Sequence, residues 1–243
     1  MFVGYTPRMD TVAPRSRRAR PAKAPLSREA VVAAGLEILA AEGLAAVTMR
    51  RVAEALDTGP ASLYVYVANA QELHRQLLDA VIGQVPVPVP DPARWREQVV
   101  DFMTTSLRTF ERYPGIARVA LADIPTGSNG LRAVESMLGL LRAAGVSDQA
   151  AAWGADALSL YLTGIAVERS IERERDWTEA EQQAFYAGLR RTFEELPAES
   201  YPNIAALLPF LTTGGGDERF RFGVEVLLNG LLHTPAPSAA PWQ

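Results

Sequence analysis

The sequence predicts an all-α protein in two parts: an N-terminal three-helix head built on a helix-turn-helix, and a larger C-terminal helical bundle. Three observations lead there. Apolar residues recur at spacings of three and four along most segments between Ser27 and His233, and no alternating pattern marks a strand. Helix-starting and helix-stopping residues fall at the ends of those segments. Finally, Val85-Pro-Val-Pro-Val-Pro-Asp-Pro92 sets a proline at every second position, which no helix tolerates, so an extended joint divides the parts.

Helices are expected at Ser27–Glu42, Thr48–Leu56, Gly59–Val67 and Asn69–Gln84. Ser27 is a good N-cap, Glu29 suits the positive helix end, and Gly43 is a left-handed stop. Thr48 caps the second helix, and Val52 and Leu56 face inward at i, i+4. Asp57-Thr58-Gly59 is a tight turn in which Asp57 tolerates a left-handed backbone. Pro60 then opens the next helix, where its missing N–H costs nothing. Two helices joined so tightly form a helix-turn-helix, a unit that lays its second helix in the DNA major groove. Asn69 with Glu72 has capping-box spacing.

In the second part, helices are expected at Asp91–Tyr113, onward to Leu121, and at Gly127–Ala144, Ser147–Arg173, Thr178–Leu196 and Asp217–His233. The charge run from Ile171 to Asp176 reads as a solvated face or loop, and Pro197–Gly216 as mostly irregular. The resulting division is a disordered basic arm over 1–26, the head over 27–72, a body for ligand binding and dimerisation over 73–234, and a flexible tail over 235–243.

Apolar residues at 48% and charged residues at 21% describe an ordinary globular chain, long enough for two cores. The chain has no cysteine, which excludes disulfides and thiolate metal sites and suits a reducing cytoplasm. Neither a signal peptide nor a membrane span is expected. Only His74 and His233 are available as imidazoles, so no metal site and no cofactor are expected, and His74 reads as a partly exposed helix residue. The net charge of −4 is unevenly spread: residues 1–84 sum to +2 and 85–243 to −6. Arg8, Arg15, Arg17, Arg18, Arg20, Lys23 and Arg28 face Asp10 alone within 8–28. A basic arm on an acidic body suits a DNA binder, and equally a solvated tail.

Val47-Thr-Met-Arg-Arg-Val-Ala-Glu-Ala-Leu56, followed by Ala61-Ser-Leu-Tyr-Val-Tyr-Val-Ala-Asn-Ala-Gln-Glu-Leu73, resembles the tetracycline-repressor (TetR) family of bacterial regulators. Phe220-Arg-Phe-Gly-Val-Glu-Val-Leu-Leu-Asn-Gly-Leu231 resembles the closing helix of its tetracycline-repressor subgroup. The resemblance implies an all-helical homodimer that binds a palindromic double-stranded DNA operator and is released by a small apolar or amphipathic effector. It places Arg50 near base edges, where its fork matches guanine. Pro60, Ala61 and Ser62 open the recognition helix, and Val65 matches a base-touching position. Thr48, Tyr64 and Tyr66 match phosphate-contacting positions, which set register and not sequence. Tyr64 and Tyr66 at i, i+2 cannot share one helix face, whereas Leu63 and Val67 read as core. Ala70 stands where a phosphate-reaching Lys is usual, and the arm with Arg17 and Arg18 is expected to compensate from the minor groove.

Ligand-lining candidates come from the bundle's long helices: Phe102, Met103, Ser106 and Phe110 on one, Met137 and Leu141 on the next, Trp153, Leu160 and Tyr161 on the central one. Each is also a candidate for plain core. The closing helix carries Phe222, Val226, Leu227, Leu228, Leu231 and Leu232, and with part of the Ala150–Arg173 helix it is the expected dimer interface, where Leu228→Glu is expected to give monomers. Gly214-Gly215-Gly216 lacks the strand and Lys-Ser/Thr of a phosphate loop, and no nucleophile elbow or zinc-binding His pair occurs. The chain is therefore expected to be a regulator and not an enzyme. Two alternatives stay open: a helical small-molecule-binding protein or enzyme with a vestigial head, and an architectural DNA binder.

Overall fold

A computed structural model describes residues 25–235, and among these there are eleven α-helices and no strand. The basic arm, with Arg17 and Arg18, and nearly all of the expected tail lie outside the described residues. In the head, α1 spans Arg28–Glu42, α2 Met49–Ala55 and α3 Pro60–Leu63, and α4 runs over Ala70–Ile82. The caps act locally as their chemistry dictates. Ser27 Oγ accepts from the Ala30 N–H at 3.1 Å, Thr48 Oγ1 from Arg51 at 3.1 Å, and Asn69 Oδ1 from Glu72 at 2.8 Å. The turn before α3 puts Asp57 at φ 49°, the left-handed position expected. Val31, Leu39, Val52, Leu63, Val67, Leu73 and Leu77 close the head's core at 0–1% exposure.

Two local expectations change. α3 is a single turn, and residues 64–66 continue as hydrogen-bonded turns that do not extend the helix. The run Tyr64-Val-Tyr-Val67 is aromatic and β-branched, with little helix propensity to carry it further. The capping box at Asn69 is half made, because the Glu72 carboxylate binds Arg75 and Gln76 and does not reach back.

The proline joint is extended and pinned. Ser136 Oγ donates to the Pro88 carbonyl at 2.9 Å, and Gln98 Nε2 to that of Val89 at 2.7 Å. The body follows as α5 Trp95–Glu111, α6 Ile116–Ala122, α7 Ser128–Ala143, α8 Asp148–Glu174, α9 Glu179–Glu194, α10 Pro202–Leu211 and α11 Gly216–His233. α8 is central, packed by α5, α6, α7 and α11. Among the described residues, α8 alone would pass for a membrane span by length and composition, contrary to the expectation of no such stretch. One face of it is packed, with Ala151, Leu158 and Ala166 buried in the core, while Trp153 and Leu160 stay exposed.

Residues 171–174 are helical and belong to the end of α8, not to a loop. Their charges are used in pairs: Arg173 bridges to Glu111, and Glu174 accepts from Arg118 at 2.7 Å. Within the segment expected to be irregular, Pro202–Leu211 is a helix, with Pro202 at its first turn and Pro209 near its end. α9 and α10 pack against each other, and neither contains a buried residue. The glycine run before α11 ends in a cap: Gly215 N–H donates to Glu218 at 3.0 Å.

Candidate nucleic-acid interface

The surface of the head is built around α3. Leu63 and Val67 point inward at 0% and 1% exposure and hold the segment against the core. Pro60, Ala61 and Ser62 are exposed, as are Tyr64 at 56% and Val65 at 79%. An exposed valine beside an exposed tyrosine, on a helix turn anchored by buried neighbours, offers apolar and hydroxyl groups outward with little backbone freedom. α2 adds two groups. Thr48 uses its oxygen to cap the helix, which leaves the hydroxyl proton to donate outward. Arg50 projects with its side chain 85% exposed and donates through Nε to Glu54 at 2.8 Å. That hydrogen bond pushes a permanent charge further from neutrality. The pair is fully solvated, so it holds the Arg50 guanidinium only weakly. Arg51 is braced across helices to Glu42 at 2.6 Å.

Tyr66 corrects the sequence reading. It is half-buried against the core, and its hydroxyl donates to the Leu26 carbonyl at 2.6 Å. It is therefore a strut that fixes where the N-terminal segment joins α1, and not a free phosphate contact. Tyr66→Phe is expected to cost about 1 kcal/mol of stability, the usual net worth of one hydrogen bond, while Tyr64→Phe stays within about 0.5 kcal/mol. Urea denaturation of the two variants compares them directly. His74 is likewise structural: Nε2 lies 3.0 Å from the Val47 carbonyl, joining α4 to the start of α2. Among the described residues no group of three or more metal-type side chains converges.

In the body, the candidate ligand residues separate into three groups. Phe102, Met103, Ser106, Phe110, Met137 and Leu141 come together as buried core, with the Ser106 hydroxyl satisfied by the Phe102 carbonyl at 2.7 Å. Trp153 and Leu160 do not join them; each is 55% exposed on the outer face of α8. Tyr161 is a brace, stacked on Phe220 with ring centres 5.5 Å apart, its hydroxyl against the carbonyls of Arg219 and Phe220 at 3.3 Å. Gly223 makes room for it, since a Cβ there would lie 2.1 Å from that hydroxyl. Two open cavities lie elsewhere. One of about 800 Å³ runs between head and body past Val32, Arg75 and Ile124. Another of about 680 Å³ has an aromatic wall of Trp177, Phe185 and Tyr186.

The dimer candidates on α11 also divide. Leu228 is 1% exposed within one chain, and Leu231 sits so close to α8 that a Cβ on Gly154 would lie 2.6 Å from it. Both fill the α8–α11 seam inside the protomer, and Leu227 is partly buried against the same core. The expectation that Leu228→Glu only separates protomers is therefore withdrawn: a carboxylate there would be buried in the fold itself. Val226 at 51% remains outward, beside Phe222 at 71%.

The fold and this surface define a helix-turn-helix transcription regulator. Residues 31–76 match the family described as bacterial regulatory proteins of the tetR type, and residues 88–234 match the tetracycline repressor-like C-terminal domain. The chain belongs to the TetR family; it is a DNA-binding transcriptional regulator of the repressor type and not an enzyme. The HTH-type transcriptional repressor DrrR1 of Streptomyces coeruleorubidus is 30% identical over 224 residues, covering 87% of this chain and 80% of DrrR1. ActR of Streptomyces coelicolor, solved in complex with actinorhodin, is 39% identical with a TM-score of 0.80, covering 89% of this chain and 100% of ActR. BioQ of Mycobacterium smegmatis, solved with its double-stranded DNA operator, is 25% identical with a TM-score of 0.60, covering 85% and 98%.

Proposed function

We propose that this chain is a cytoplasmic homodimer that reads a palindromic operator through its two α3 turns and leaves it when the body takes up a small apolar or amphipathic molecule. The observation that carries the reading is the exposed row Pro60, Ala61, Ser62, Tyr64 and Val65, held rigid by buried Leu63 and Val67. Thr48 and Tyr64 hold phosphates, Arg50 and Val65 meet base edges, and the arm with Arg17 and Arg18 adds backbone charge. The head covers 27–72 and the body 73–234.

Half-sites one DNA turn apart require two heads at fixed separation, hence a two-fold dimer. Its face is the outward stripe of α8 and α11: Trp153, Leu160, Phe222 and Val226, all more than half exposed in the single chain. Gly164 and Gly230 lie on the same helices with open space where a Cβ would stand, which suits close approach of a partner helix. The effector parts the buried seam that Phe102, Ser106 and Phe110 on α5 make with Met137 and Leu141 on α7. Moving α7 matters because α7 is tied to α4, which leads back to the head. An effector acts only through its unequal affinity for the two body conformations.

Selection from a randomised duplex library at two salt concentrations tests the first half. An enriched palindrome is expected, with affinity falling steeply as salt rises. Binding without any enriched sequence would replace operator reading by an architectural role. Actinorhodin, the molecule held by ActR, is the first probe for release of the enriched operator.

A further inference from the structure

We infer that Asp79 on α4 is the positioning residue that couples the body to the reading head, by capping the N-terminus of α7 from another helix. α7 begins at Ser128 after Gly127, and Gly127 has no side chain with which to cap it. The Asp79 carboxylate takes that place. Oδ1 accepts from the backbone N–H of Asn129 at 3.0 Å and of Gly130 at 2.9 Å, the two donors an ordinary N-cap side chain satisfies. The Asn129 amide closes the contact by donating to Asp79 Oδ2 at 3.1 Å and to the Asp79 carbonyl at 3.0 Å.

The surrounding residues are shaped to this approach. A Cβ on Gly127 would lie 2.2 Å from Asp79 Oδ1, and one on Gly83 would lie 2.7 Å from the Asn129 amide. Gly127 has φ −67° and ψ 164°, which any residue adopts, so its glycine serves space and not backbone freedom. Close beside the contact the junction is hollow: Asp79, Arg75, Val32, Ile124 and Thr126 border the groove of about 800 Å³. Apart from the apolar packing of α4 on α5, α6 and α7, the polar ties here are few: the Leu44 N–H donates to the Pro114 carbonyl at 2.9 Å, Arg75 meets Asp123 at 3.5 Å in a partly buried pair, and Gln84, just beyond α4, donates to the Tyr113 hydroxyl at 2.7 Å and accepts from Arg112 at 3.1 Å. A directional, charge-assisted cap beside open space is a pivot: it fixes α4 to α7 in one arrangement, so that a shift of α7 carries α4 with it.

Its regulatory meaning rests on the operator-reading function proposed above, but its mechanical content does not. The chain has no cysteine, so spin labels can be placed at will. Labels at Glu37→Cys on α1 and Ser159→Cys on α8, with labelled chain diluted in unlabelled chain, report head-to-body distance by pulsed electron resonance. The parent is expected to show one narrow distance. Asp79→Ala should broaden it about twofold, because the head then samples several tilts. Asp79→Asn should stay near the parent, since its carbonyl oxygen still accepts from both backbone donors. Gly127→Ala attacks the same contact from the other side and serves if Asp79→Ala does not fold. The double variant should be no broader than either single one, the mark of a shared contact. A distribution unchanged in Asp79→Ala, or in Gly127→Ala where that variant stands in for it, or additive broadening in the double variant, overturns the inference. The same variants are then titrated against enriched palindromes with half-sites moved apart by one and two base pairs. Loss of spacing preference on breaking the cap is expected. If no palindrome is enriched while the distances still broaden, the operator reading fails and the coupling stands.

Discussion

Trp153→Glu is expected to split the proposed dimer while leaving the protomer folded. Trp153 is 55% exposed in the single chain, so its removal opens no cavity in the protomer. In a two-fold dimer the change occurs twice, and buried aromatic anchors are each worth about 2 kcal/mol or more. Two lost anchors together with two buried carboxylates amount to roughly 4 kcal/mol or more, a dissociation constant raised at least about a thousandfold. Sedimentation at micromolar concentration should then show monomer, with the helical circular dichroism of the parent. Operator affinity should fall in parallel, because one head reads one half-site. Leu228→Glu is the contrasting variant: with Leu228 at 1% exposure inside the seam, it should lose helical signal along with the dimer. A Trp153→Glu protein that stays dimeric would remove the outward face of α8 from the interface.

The second large effect is expected from Val65→Asp. At 79% exposure Val65 contributes little to the fold, and thermal unfolding should be nearly unchanged. In the proposed complex the substitution removes an apolar contact at a base edge and puts a negative charge near phosphates. Each lost base-edge contact costs about 1–3 kcal/mol, and a dimer loses two, so affinity should drop roughly thirtyfold to twenty-thousandfold. Val65→Ala should cost markedly less, because it adds no charge. Anisotropy titration on the enriched operator separates the two variants; wild-type affinity in Val65→Asp would mean that this turn does not enter the groove.

The elements were largely legible in the sequence because their signals are local. Ser27, Thr48, Asn69, Ser147 and Thr178 each accept a backbone hydrogen bond three residues ahead, and such a cap needs no tertiary partner. α10 escaped for the same reason in reverse. Pro202–Leu211 is apolar on all sides, holds two prolines and is followed by glycines, so neither periodicity nor a capping side chain announces it. The single-turn α3 was overextended because aromatic and β-branched residues still fit a helical apolar pattern while weakening the helix itself. On the candidate interface, the inward pair Leu63 and Val67 was readable from spacing. The roles of Tyr64 and Tyr66 were not, because both fit a surface or a strut until Leu26 is known to lie within reach of one of them.

What the sequence determined by itself is the order, type and punctuation of the helices, the extended joint at 85–92, and the identity of the reading unit. Those follow from backbone chemistry within a few residues. Only the tertiary structure decided which apolar side chains face the chain's own core. Leu228 and Val226 lie two residues apart on α11 with the same hydrophobic character, yet one is enclosed by α8 and the other faces outward. The tertiary structure also decided that Asp79 caps a helix that starts 49 residues later. Hydrophobic burial has no direction, so a helical stripe names candidates without naming partners; a directional hydrogen bond between distant segments leaves no periodic trace at all.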